Sequence, residues 1–220
     1  MQDLQLMIFI CTAAPLSMML GIFRDRARIL LGFLITGLFM CLFAGEINGL
    51  LRNNTGLSVF FLTVNVTPII EEILKALPIV LLAFLIKPER QLLIESSIAT
   101  GVGFATFENI CFLFDSTAGL SAGTIIARGF GTGMMHGIST LAVGYSMTFV
   151  SRNRRLSHAG TVAALSVAII YHSVYNIMVQ SDYPILGILL PVISYIPLIA
   201  VMNRYFGRKR KADTEEKTEQ

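Results

Sequence analysis

Apolar residues come in long blocks along this chain, separated by short polar links. Seven blocks, at about 4–23, 29–51, 57–86, 92–115, 124–150, 161–181 and 184–206, reach the roughly 20 residues that one helical crossing of a bilayer needs. Links such as Arg24-Asp25-Arg26-Ala27-Arg28 and Arg152-Asn153-Arg154-Arg155 are too short to hold a soluble domain. The pattern predicts an all-α fold: one polytopic helical membrane domain over residues 1–207, with about seven transmembrane helices. A charged tail over 208–220 is expected to be disordered. The 57–86 block is long for a single crossing and contains Pro68 and Pro78. That predicts a tilt, a kink or a partly re-entrant first half.

Composition sharpens this picture. With 54% hydrophobic residues, 14% charged residues and a mean hydropathy of +0.69, the chain is too apolar for an ordinary soluble domain. Charge sets the orientation. If the N-terminus lies outside, fourteen of the 17 Lys and Arg residues fall on the inside, and the outer links keep only Arg52. Lys75 and Arg128 lie within spans. This bias predicts an N-out, C-in topology, and it accounts for the net charge of +3 without a nucleic-acid partner. The first block lacks a basic flank and an A-x-A site, so it does not resemble a secretory signal peptide. Cys11, Cys41 and Cys111 all sit in apolar blocks without metal-site spacing and read as small hydrophobes.

The remaining chemistry lies where it is expensive. An isolated charge inside a bilayer costs at least ~3 kcal/mol, so an ionisable residue there is a functional candidate. Glu71, Glu72 and Lys75 fall near the middle of the third block, His136 near the middle of the fifth, and His172 just past the middle of the sixth. Glu108 and Asn109 lie about two-thirds along the fourth, offset by about one and a half turns, or ~8 Å. Lys75 is three and four residues from the two glutamates and can reach either. Thr140 follows His136 by four, and Asn176 follows His172 by four, each pair on one helix face. Arg128 stands two turns before His136. Gly129, Gly133 and Gly137 form a small-residue stripe that predicts close helix packing. Taken singly, each feature has a structural explanation: an ion-pair knot, a hydrogen-bonded core histidine, a snorkelling arginine. Their shared depth argues for a site.

Four blocks carry a resemblance. Glu71-Glu72-Ile73-Leu74-Lys75 fits an EExxK motif, and Gly101-Val102-Gly103-Phe104-Ala105-Thr106-Phe107-Glu108-Asn109 follows it. Met135-His136-Gly137-Ile138-Ser139-Thr140 and His172-Ser173-Val174-Tyr175-Asn176 complete the set. In this order, each within a span, they resemble the PrsW family of intramembrane proteases, within the larger superfamily of CAAX prenyl endopeptidases. The resemblance implies peptide-bond hydrolysis in or at the edge of a bacterial cytoplasmic membrane. It also implies a membrane-protein substrate, with the extracytoplasmic part of a single-pass anti-sigma factor the leading expectation. The prenyl endopeptidases carry a phenylalanine–histidine block where this chain has Phe104 and Glu108-Asn109, and an arginine where Lys75 stands, which favours the PrsW branch.

Amide hydrolysis needs an activated water, a stabilised oxyanion and a proton for the leaving amine. The candidate catalytic residues are Glu71, Glu72, His136, His172, Asn176 and Glu108, supported by Lys75, Asn109, Arg128 and Thr140. Adjacent helical residues point about 100° apart, so one glutamate is expected to serve as base and the other to orient a histidine or Lys75. Which is which stays open at this level. Asn176 is expected to donate to the oxyanion. No cofactor is expected, although His136, His172 and Glu108 offer a His₂-carboxylate set for a divalent metal such as zinc. A proton-coupled transporter would also gather such groups at mid-depth, but no internal repeat supports it. A bis-histidine haem site would leave the glutamate pair without a purpose.

Overall fold

The computed structural model describes residues 2–115, 121–153, 155–181 and 185–200. The described residues form helices and connecting turns, with no strand. Seven helices follow one another: α1 Gln2–Met19, α2 Asp25–Asn54, α3 at 59–86, α4 Arg90–Asp115, α5 Ala122–Val150, α6 Ser157–Val179 and α7 Ile185–Ala200. They match the seven apolar blocks. The end of the last block and the charged tail lie outside the described residues. Three of the helices, α2, α4 and α6, are long and apolar enough to cross a membrane on length and composition.

The long third block is one helical rod with no re-entrant break. It absorbs its prolines by changing winding: a short turn at Val59–Phe61, a π segment at Leu62–Val66, the α-helix Thr67–Leu81 and a second π segment at Leu82–Ile86. Insertions of this kind are frequent at functional sites. The rod ends at Lys87, which takes a left-handed φ of 52°.

Apolar and polar faces are inverted on α3 relative to a soluble helix. Ile69, Ile73, Leu77 and Leu81 are 43–48% exposed, whereas Glu72 and Lys75 are 1% and 0% exposed. Exposed aliphatic side chains at four-residue steps are what a lipid-facing surface requires.

α4 is the central helix. Its Gly103 meets the Leu34 backbone of α2 so closely that an added Cβ would strike the carbonyl, and Gly37 of α2 stands in the same relation to Thr100. On the other flank, Gly101 faces the His136 carbonyl of α5, and Gly144 of α5 faces Ser97. The predicted packing stripe is elsewhere: a Cβ at Gly129, Gly133 or Gly137 would meet nothing within 4 Å. Small-residue spacing marks where a close approach is possible, and the neighbouring helix decides which stripe is used. Two apolar clusters result. One contains Ile79, Leu93, Val143, Met147 and Ala168, and the other contains Leu38, Cys41, Ala44, Phe104 and Phe107. A polar layer runs between them.

At one end of the bundle, Arg26 donates to Glu95 at 2.5 Å and to Glu89 at 3.1 Å. There also Arg90 lies over the Phe149 ring at 5.0 Å, and Arg152 reaches the Pro88 carbonyl at 3.4 Å. The basic links α1–α2, α3–α4 and α5–α6 therefore share that end.

Candidate active site

Four helices supply the polar layer. α3 brings Glu71, Glu72 and Lys75; α4 brings Phe104 and Glu108; α5 brings Arg128, His136 and Ser139; α6 brings His172. A buried charge in lipid persists only where partners replace its water, and here the neighbouring helices provide them.

Glu72 is the hub. Its Oε1 accepts from Lys75 Nζ at 2.6 Å, from His172 Nδ1 at 2.8 Å and from Ser139 Oγ at 3.2 Å. Lys75 also donates to His136 Nδ1 at 2.7 Å and sits 4.9 Å from the centre of the Phe104 ring. An ammonium group can only donate, so Nδ1 of His136 accepts and Nε2 carries the proton. That Nε2 donates to Glu108 Oε2 at 2.5 Å, and Glu108 Oε1 accepts from Arg128 at 2.9 Å. The Arg128 guanidinium in turn lies 3.9 Å from the Phe112 ring centre.

The same reasoning fixes His172. A carboxylate can only accept here, so Nδ1 is the donor to Glu72, and in the neutral imidazole the lone pair lies on Nε2. Nε2 faces Glu71 Oε2 at 3.8 Å, beyond direct hydrogen bonding. Glu71 has no closer polar partner among the described residues. It opens instead into a cavity of about 250 Å³ shared with Glu108, Arg128, Cys41, Cys111 and Phe107. The two adjacent glutamates thus differ: Glu72 is tied on one oxygen by three donors, and Glu71 is left facing space.

The remaining sequence candidates fall differently. Glu108 does join the histidines, because its long side chain spans the offset in depth that the helix positions alone imply. Asn176 stands one turn beyond His172, yet its Nδ2 donates to the Thr63 carbonyl at 2.9 Å. Thr140 donates to the His136 carbonyl of its own helix at 2.9 Å and, among the described residues, makes no hydrogen bond to an ionisable side chain. Asn109 makes no hydrogen bond to the cluster, and its Oδ1 is buried and unpartnered among the described residues. Ser139 was not singled out by the sequence pattern; its only signal was a hydroxyl three residues after His136.

The donor set suits a divalent cation. One ligand atom each from Glu71, His136 and His172 lies within 4.8 Å of the others. Three carboxylates face two cationic side chains in this layer, and Glu72 Oε2 is buried without a partner among the described residues. This trio contains Glu71, where the sequence pattern offered Glu108. Both nitrogens of His136 are engaged, so binding a metal there exchanges one hydrogen bond for a coordination bond.

The comparisons with known proteins give one match. The family model described as PrsW family intramembrane metalloprotease matches residues 25–202, most of the chain. The chain matches no curated protein and no solved structure.

Proposed function

The chain belongs to the PrsW family of intramembrane metalloproteases, and from that premise we propose that Glu71 activates the water that cleaves a peptide bond within the membrane. One observation carries this reading: Glu71 lines a cavity, while Glu72 is tied by three donors, and Nε2 of His172 lies 3.8 Å from Glu71. A water hydrogen-bonded to both Glu71 Oε2 and His172 Nε2 fits that separation. Glu71 takes its proton as the oxygen attacks the carbonyl carbon, and returns it to the leaving amine. Glu72 holds His172 through Nδ1, so that Nε2 stays free and aimed at the water. Lys75 neutralises Glu72 and orients His136. Arg128, at the wall of the same cavity, stabilises charge developing on the carbonyl oxygen. A divalent metal would be held by Glu71, His136 and His172, with the His172 lone pair given to the metal in place of the water's hydrogen bond, and would supply Lewis-acid polarisation of the carbonyl.

The substrate on this reading is a membrane protein, specifically a single-pass anti-sigma factor cut in its extracytoplasmic part. The distribution of Lys and Arg supports an N-out, C-in protein of seven crossings in a bacterial cytoplasmic membrane. Glu108 and Arg128 lie on the outer side of the glutamate pair in that orientation, which favours entry from the outside or laterally.

Co-expression with tagged single-pass membrane proteins of the host tests the proposal, comparing the native chain with Glu71→Gln. A fragment made only by the native chain supports it and identifies the cut site. If both chains release the same fragment, Glu71 is not the base. If folded native chain releases none, the protease reading gives way to a proton-transport assay.

A further inference from the structure

The helix carrying both glutamates begins with a hydrogen-bonding fault that is repaired from another helix. In the π segment Leu62–Val66, the Thr67 N–H bonds to the Leu62 carbonyl five residues back. The next carbonyl is that of Thr63. Its donor would be residue 68 in the π register or residue 67 in the α register. Residue 68 is proline and has no N–H, and the N–H of Thr67 is already spent. Thr63 therefore has no backbone donor on its own helix. Within a bilayer no water replaces one, and an open carbonyl there is costly. The donor comes from α6: Asn176 Nδ2 at 2.9 Å. Four residues earlier on α6, His172 binds Glu72 at 2.8 Å. α6 thus grips α3 on both sides of Pro68, once at the backbone before it and once at the carboxylate after it.

We infer that Asn176 is a positioning residue: by satisfying the carbonyl that Pro68 leaves open, it holds the register in which Glu71 and Glu72 meet His172 and Lys75. Its amide acts on the protein backbone and not on the substrate oxygen. The inference deepens the protease reading and rests on it only for the consequence on catalysis; the tether itself is independent of it.

A double-mutant cycle between Asn176 and Pro68 tests the inference, because Pro68→Ala restores an N–H at the missing position. Amide hydrogen exchange over residues 64–75 is measured in lipid nanodiscs for the native chain, Asn176→Ala, Pro68→Ala and Pro68→Ala/Asn176→Ala. Asn176→Ala should speed exchange by at least about tenfold, the equivalent of about 1.4 kcal/mol, and the double variant should exchange within about threefold of Pro68→Ala alone. If Asn176→Ala by itself yields no folded protein, recovery of folded protein in the double variant supports the tether equally, and failure to recover it counts against the tether. Equal effects of Asn176→Ala in the native and Pro68→Ala backgrounds overturn Pro68 as the source of the open carbonyl, and unchanged exchange in Asn176→Ala overturns the tether. With a substrate in hand, kcat should fall and recover in parallel with exchange while KM stays within about threefold. A kcat loss that Pro68→Ala does not relieve assigns Asn176 to the oxyanion instead. Exchange that couples as expected in a chain that cleaves nothing sustains the tether and removes the protease reading.

Discussion

His172 Nδ1 donates to Glu72 Oε1 at 2.8 Å, joining residues one hundred positions apart. This bond assigns different work to two neighbouring carboxylates. It uses Glu72 as a support and leaves the other nitrogen of His172 for the side on which Glu71 lies.

Glu71→Gln and Glu72→Gln should therefore fail in different ways. On the proposed reading Glu71→Gln removes the base and little structural support, so cleavage should fall by a factor on the order of 10²–10⁴ while thermal stability changes little. Glu72→Gln leaves Lys75 buried without its counter-ion, and should cost about 3 kcal/mol of stability as well as activity. Thermal unfolding in detergent beside cleavage assays separates the two. Equal stability losses would contradict the division of roles.

Lys75 would compete with a metal for His136. Its ammonium group occupies Nδ1 at 2.7 Å, so Lys75→Met should free that nitrogen and relieve the repulsion of a nearby cation. Zinc affinity should rise about tenfold, the scale of one charge-assisted hydrogen bond no longer displaced. Titration of the metal-stripped protein, with His136→Ala as control, checks this. Unchanged affinity would remove Nδ1 of His136 as a ligand atom.

The glycines should divide by what faces them. Gly103→Ala drives a Cβ into the Leu34 backbone of α2 and should destabilise by roughly 1–3 kcal/mol. Gly133→Ala meets nothing within 4 Å and should stay within about 0.5 kcal/mol of the native chain. Thermal unfolding of both variants under one condition is sufficient.

Cys111 lines the cavity onto which Glu71 opens and is partly accessible. In a Cys11→Ser/Cys41→Ser background, a bulky maleimide on Cys111 should lower cleavage at least about tenfold by obstructing the space a near-attack substrate needs. Cys111→Ser should abolish that sensitivity. Full activity in the labelled protein would show that substrate and water reach Glu71 by another route.

Hydrophobic block length sufficed to define seven helices and their order, because in lipid the backbone must satisfy itself within each segment. The cost of burying charge likewise made Glu71, Glu72, Lys75, Glu108, His136 and His172 stand out as residues that need one another. Their helical spacing placed Lys75 within reach of both glutamates. Partner choice across helices was not legible. Whether Glu71 or Glu72 is tied depends on the rotation of α3 relative to α5 and α6, and adjacent residues 100° apart can exchange roles with a small turn of the rod. Depth counted along ideal helices set Glu108 apart from His136, yet side-chain reach closes the gap to 2.5 Å. Asn176 shared a face with His172 in sequence, but its partner is a backbone carbonyl freed by a proline and a π turn. The Gly129–Gly133–Gly137 stripe was visible, and the contacts went to Gly37, Gly101, Gly103 and Gly144 instead. The chain's composition and spacing determined which groups must be buried together, because desolvation is a property of each residue. Only the tertiary structure decided which carboxylate is bound and which is left facing the cavity, because that depends on how four helices turn against one another.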